Sequence, residues 1–302
     1  MKVVNIKEII DFLDKKGNIY ESSVCNEDDI IGFSSITHYK KNTISWVKNE
    51  KKLADIKEKL SDEVQLLIVP NIDMKGVSVK NYIKVSNPKG IFFDILGNFY
   101  GEKEEYNIGK NNVISTLAKI GDNVSIGNNC IIEEYVEIGH GTIIYNNVVL
   151  AKGVKIGINC TIKSGAVIGE IGFGYSTNEN GESIRVPHFG SVDIGNNVDI
   201  GANTTIERGT IDNTVIEDGV KVDDLCQISH NVYIGENTNI ITNTAIYGSV
   251  KIGKGCYIAT SVIRNQLTIG NNVTIGMGSV VVKDVTDNSI VFGNPAKEKD
   301  KR

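Results

Sequence analysis

The chain has 302 residues, with 32 Lys and Arg against 37 Asp and Glu and a formal charge of −5. That mildly acidic balance argues against non-specific nucleic-acid binding, which usually leaves a basic excess. No apolar run reaches the roughly 18–20 residues of a bilayer span, and Lys7 and Glu8 interrupt the only stretch that a secretion signal could use, so a cytoplasmic protein is expected.

Residues 1–105 read as a small α/β domain. NIKEIIDFLDKK (5–16) has helical periodicity, VQLLIV (64–69) reads as a buried strand, and NPKGIFFDILGNFY (87–100) reads as a helix started by proline. The single tryptophan, Trp46, offers a stacking surface for a planar ring, and it equally fits the core of a strand.

From Ile108 an aliphatic residue returns every six positions: Ile114, Ile120, Ile126 and onward to Ile168. The phase breaks across 170–193, resumes at Ile194, Ile200 and Ile206, slips, and runs from Ile216 to Ile258. After a last slip it ends at Ile269, Ile275 and Val281. Six is neither a helix period nor a plain strand period. Three hexapeptides closing one triangular coil do fit, stacked at the inter-strand spacing of about 4.8 Å. The expected fold is a parallel β-helix over 106–285, with 286–302 as a short tail. Of five cysteines, Cys130, Cys160, Cys226 and Cys256 each fall four residues after a column aliphatic, where a thiol packs as a small hydrophobe; Cys25 lies in the first domain. Most asparagines suit turn corners.

Function in a solenoid concentrates where the repeat is interrupted. The first break holds GFGY, with Phe173 and Tyr175, and NENGES, whose Asn-Gly is a hairpin signal. A hairpin excursion over about 173–190 is expected, with His188 at its return. The second slip gathers Glu207, Arg208, Asp212, Asp223, Asp224 and His230. Counting one 18-residue coil back from His230 gives Asp212, a carboxylate suited to hold an imidazole's tautomer and raise its basicity. One coil beyond lies Gly248, whose N–H is the candidate oxyanion donor. His140 occupies the corresponding position in IGHGT without an acidic cluster. No metal is implied, because His230 has no second histidine at ligand spacing.

The pattern [LIV]-G-x-x-[small]-x resembles hexapeptide-repeat acyltransferases with a left-handed β-helix, and the hand comes from that resemblance. The segment VPHFGSVDIGNNVDIGANTTIERGTIDNTVIEDGVKVDDLCQISHNVYIG (186–235) is similar, more narrowly, to the UDP-3-O-acylglucosamine N-acyltransferase family of lipid A synthesis. SSITHYKKNTISWVKNEKKL (34–53) and VSNPKGIFFDIL (85–96) resemble that family's uridine-binding segments. The resemblance makes His230 the general base and puts Asp223 beside Asp212 as its orienting partner. Trp46, with Asn49 near it, falls in the nucleotide site, and Phe173, Tyr175, His188, Glu207 and Arg208 are expected around the sugar. It also implies a homotrimer, with Arg264 and Gln266 near the acyl-donor channel. Lys52 stands where the family has a second base-stacking aromatic, and Gln266 where it has a further histidine. The close VVVKDVTDNSIVFGNPAK (280–297) resembles coenzyme A-dependent sugar acetyltransferases.

The expectation is therefore N-acyl transfer to the amine of a UDP- or dTDP-linked sugar, for surface polysaccharide synthesis. The co-substrate is acyl-CoA or the phosphopantetheine of acyl carrier protein, with no permanently bound cofactor. The narrower alternative is 3-hydroxyacyl transfer from acyl carrier protein to UDP-3-O-acylglucosamine. A non-catalytic β-helix scaffold is the reading from another class.

Overall fold

The computed structural model describes residues 2–24, 28–56, 60, 64–101 and 106–299; Cys25 lies outside them. The chain divides into two compact units, Met1–Glu104 and Glu105–Arg302.

In the first unit a five-stranded sheet runs in the order Glu21–Ser23, Tyr82–Lys84, Val64–Val69, Thr43–Trp46, Gly32–Phe33. The Glu21–Ser23 pairing is antiparallel and the others are parallel. Every residue of Val64–Val69 is buried, which is the mark of a strand covered on both faces. Helices α1 (Ile6–Lys15), α2 (Glu50–Ile56) and α3 (Pro88–Tyr100) flank the sheet. Asn5 and Glu8 form a reciprocal capping box at α1, and Ile6, Ile9 and Leu13 of α1 join Ile44, Leu66 and Ile68 in one core. Leu53 and Ile56 of α2 pack with Val47, Leu67 and Val69 in a second.

The second unit is a left-handed parallel β-helix. Its three long sheets have ten, nine and eight strands, most of only two residues. Each sheet carries one inward column, such as the half-buried Ile114 and then the buried Ile132, Leu150, Ile168, Ile206, Ile228, Ile246, Ile263 and Val281 down the nine-stranded sheet. A fully buried isoleucine contributes about 1.5–3 kcal/mol, so the columns are the main source of cohesion. Asparagines hold many corners in the left-handed region, from Asn123 at φ 55° to Asn272 at φ 53°, a conformation their short side chain tolerates better than most. The four solenoid cysteines are buried, and each thiol reaches a main-chain carbonyl one coil away, as Cys130 does to Tyr145 O at 3.0 Å.

The hairpin is present, with Tyr175–Thr177 antiparallel to Ser183–Arg185. Two features differ from expectation. Residues after 285 continue the solenoid: Ile290–Phe292 pairs in parallel with Thr274–Ile275, and Lys297–Lys299 folds back on it. The slip after Ile206 is a local insertion, because Ile206 pairs with Ile228, twenty-two residues on rather than eighteen. No helix among the described residues is long and apolar enough to cross a membrane.

Candidate functional site

One corner of the solenoid gathers the chemistry. In successive coils, the residues that follow the column of the nine-stranded sheet are Glu207, Ser229 and Tyr247, and the next position along holds His230, Gly248 and Asn265. With Gln227, Ser249, Gln266 and the hairpin's Phe173 they line a groove of about 370 Å³. Phe173 stands 83 % exposed at its edge.

His230 is held from two sides. Its main-chain N–H donates to Glu207 Oε2 at 3.1 Å, and Gln227 Nε2 donates to Glu207 Oε1 at 3.2 Å. Its Nδ1 lies 3.2 Å from Asn231 Oδ1. That oxygen also accepts from the N–H and the hydroxyl of Thr210, at 3.0 and 2.9 Å, while Asn231 Nδ2 donates to Asp212 O at 2.9 Å. The amide orientation is thereby fixed, so Nδ1 must be the protonated nitrogen of neutral His230 and Nε2 keeps its lone pair. Gly248 meets that nitrogen: a Cβ there would lie 2.7 Å from His230 Nε2. The Gly248 N–H has no hydrogen-bond partner among the described residues. A free acceptor and a free donor therefore face the same groove.

The insertion explains this arrangement. Its Thr210 supplies the donors that orient Asn231, and Asn231 in turn orients His230. It also removes Asp212 from the position assigned by an 18-residue count. The register sets Arg208, not Asp212, one coil before His230, and Asp212 contributes its carbonyl to Asn231 rather than its carboxylate to the imidazole. Asp223 follows a strand of the ten-stranded sheet, at a different corner. Its carboxylate accepts from Thr242 N at 3.3 Å beside Lys163, Asp199 and Lys221. Neither aspartate carboxylate reaches His230; the ring's hydrogen-bond partner is the neutral Asn231.

The remaining expected residues divide. Glu207, Phe173, Gly248 and Gln266 line the groove. His188 is 6 % exposed and stands edge-on to His230, with ring centroids 5.5 Å apart and its Nδ1 2.9 Å from Val186 O. Tyr175 packs on Phe173 at 4.9 Å between centroids. Arg208 is engaged internally, its Nε donating to Gly169 O at 2.6 Å and an Nη to Lys152 O at 2.8 Å, so it braces the base of the hairpin. Arg264 is exposed and is not among the groove's lining residues. Asn231, Ser229, Gln227, Tyr247, Ser249 and Asn265 were missed. One signal was available for Ser249, which stands at a corner, with φ 61°, where asparagine or glycine is usual.

The first unit has its own cavity of about 480 Å³, lined by Trp46, Asn49, Lys48, Lys51, Lys52 and Asp55, with Ser35 and Thr37. Trp46 is half-buried, its ring 6.3 Å from Phe92 and 6.5 Å from Phe93. It is thus both packed and presented, while Asn49 Oδ1 caps α2 through Lys52 N at 2.9 Å.

Comparison with known proteins agrees with this architecture. The bacterial transferase hexapeptide (six repeats) family matches residues 106–140. The UDP-3-O-acylglucosamine N-acyltransferase of Janthinobacterium sp. is 40 % identical over 127 residues, 42 % of this chain and 36 % of that protein. The enzyme of the same name from Delftia acidovorans is 36 % identical over 131 residues, 43 % of this chain and 39 % of its own. The chain thus spans well under half the length of these curated relatives. LpxA from Acinetobacter baumannii superimposes with a TM-score of 0.58 at 28 % identity, over 64 % of this chain and 73 % of that one. The chain thus carries a left-handed parallel β-helix, matches bacterial transferase hexapeptide repeats over residues 106–140, and is similar over part of its length to UDP-3-O-acylglucosamine N-acyltransferases.

Proposed function

We propose that the chain is an N-acyltransferase that moves an acyl group from a thioester to the amine of a nucleotide-linked amino sugar. The observation that carries this reading is His230, whose Nδ1 is engaged by Asn231 so that Nε2 is left open beside the unpaired Gly248 N–H. The amine nitrogen attacks the thioester carbonyl carbon, His230 Nε2 takes its proton, and the carbonyl electron pair moves onto oxygen. Collapse re-forms the carbonyl and expels the thiolate, which receives the proton from His230. Gly248 N–H faces the developing oxyanion.

The names of the relatives favour UDP-3-O-acylglucosamine as the acceptor, the narrower of the two expectations. The N-terminal cavity is consistent with a nucleoside diphosphate, since Trp46 offers a ring face and Lys48, Lys51 and Lys52 offer cations for phosphate. The donor is the phosphopantetheine thioester of acyl carrier protein or of CoA. Both substrate classes belong to the cytoplasm, and assembly as a trimer is part of the proposal.

The test is mass spectrometry of acyl transfer by the wild type and His230→Ala. Acceptors are UDP-3-O-acylglucosamine and UDP- and dTDP-amino sugars, each with short acyl-CoAs and with hydroxyacyl carrier protein. An amide product is expected, reduced about 10³-fold or more in the variant. Undiminished turnover in His230→Ala would remove the histidine from the chemistry. No product from any pair would leave the chain as a binding solenoid.

A further inference from the structure

Ser229 is 7 % exposed and lines the His230 groove. Its main-chain N–H belongs to the ladder, donating to Ile246 O at 3.0 Å. Its Oγ has no hydrogen-bond partner among the described residues. The hydroxyl is open to the groove, and the packing of this corner does not ask for one. The same position in the nine-stranded sheet is held by alanine at Ala151 and glycine at Gly169, and elsewhere by larger side chains such as Glu133, Glu207 and Tyr247.

The surroundings limit what this hydroxyl can do. Both oxygens of Glu207, the neighbouring groove carboxylate, already accept hydrogen bonds, from Gln227 Nε2 and His230 N. Two further groups without a partner among the described residues line the same groove: His230 Nε2, one residue on in sequence, and the Gly248 N–H, one coil beyond His230. The acceptor takes the nucleophile's proton. The charge that forms in the same step sits on the carbonyl oxygen, one atom from the attacked carbon, and it needs donors.

We infer that Ser229 Oγ–H is the side-chain half of an oxyanion site whose main-chain half is the Gly248 N–H. This inference deepens the acyl-transfer reading and rests on it. As the N–C bond forms, the carbonyl π pair becomes an oxyanion lone pair that accepts from both donors. When the C–S bond breaks, that pair returns to the carbonyl and the sulfur leaves as thiolate, protonated by His230. Donors held by the stacked coils need no reorganisation when the charge appears, so their effect falls on the transition state rather than on ground-state binding.

Ser229→Ala tests this, because alanine already occupies the matching corner at residue 151. Steady-state kinetics of acyl transfer should show kcat lowered about 100-fold, with both KM values changed by less than about threefold. The affinity for a phosphonate mimic of the tetrahedral intermediate, measured by calorimetry, should weaken alongside kcat. Ser229→Thr, which keeps the hydroxyl, should recover most of the loss. An unchanged kcat, or a raised sugar KM at constant kcat, overturns the inference while the acyl-transfer reading stands. A wild type that acylates no acceptor overturns both.

Discussion

His230 Nδ1 meets Asn231 Oδ1 at 3.2 Å, and the two Thr210 donors on that oxygen prevent the amide from turning round. A neutral neighbour therefore sets the histidine's tautomer without adding a charge beside it. Asn231→Ala is expected to lower kcat about 10- to 100-fold with little change in KM. Asn231→Asp keeps an acceptor but brings a negative charge, which favours imidazolium and raises the histidine's pKa. Because the base must be neutral to act, the acidic limb of the kcat/KM profile should then move to higher pH. A profile identical to wild type would show that this contact does not govern the base.

Gly248 leaves the space that the imidazole uses. A methyl group there would sit 2.7 Å from both Nε2 and Cε1 of His230, closer than real contacts allow. Gly248→Ala should displace the ring and reduce kcat/KM by at least about 100-fold, with the midpoint of thermal unfolding nearly unchanged. Full activity in this variant would mean that the ring works from another rotamer.

Arg208 should behave as a structural residue. Losing its two bonds to the carbonyls of Gly169 and Lys152 should destabilise the hairpin's base by about 2 kcal/mol in Arg208→Ala. Denaturant titration measures this. The sugar KM should stay near the wild-type value, and a large rise would instead place the guanidinium on substrate.

How much of this was legible in the sequence depends on what fills each position. The columns were readable because one residue type, an aliphatic, recurs at one spacing, and the cysteines and hairpin followed from the same frame. The site was only partly readable. The four-residue insertion near 208–213 gives no sign of where the register absorbs it, so an 18-residue count pointed to Asp212. Asn231 looks like the corner residues Asn237 and Asn243 and shares their positive φ; only the neighbouring Thr210 makes it different. The partners of Arg208 are main-chain carbonyls, which no side-chain pattern reveals.

Acid should loosen the solenoid through three corner aspartates. Hydrogen bonding from the Asn196 backbone N–H, and then from its side chain, holds Asp218 below its ordinary pKa. The Ala202 N–H and then Lys163 do so for Asp224, and the Asn271 side chain and N–H for Asp287. A carboxyl whose folded pKa is lowered gives stability that is complete above its unfolded pKa of about 3.9 and is lost as pH falls through the folded value. Urea midpoints should therefore be steady near neutrality and decline below about pH 4. Replacing all three with Asn should flatten that decline, and an equally steep decline in the triple variant would assign acid sensitivity elsewhere.

The groove is assembled from consecutive coils at one corner, so its geometry depends on phase along the chain rather than on the length of the solenoid. An insertion of eighteen residues before Leu150 or after Gln266, matching the Ile126-to-Ile144 repeat, would lengthen the stack and leave every lining residue beside its present neighbour. Six residues inserted between His230 and Gly248 would instead carry the glycine a third of a turn around the axis, to another face. The site therefore tolerates growth at both ends of the stack and almost none within it, a constraint written in multiples of the coil.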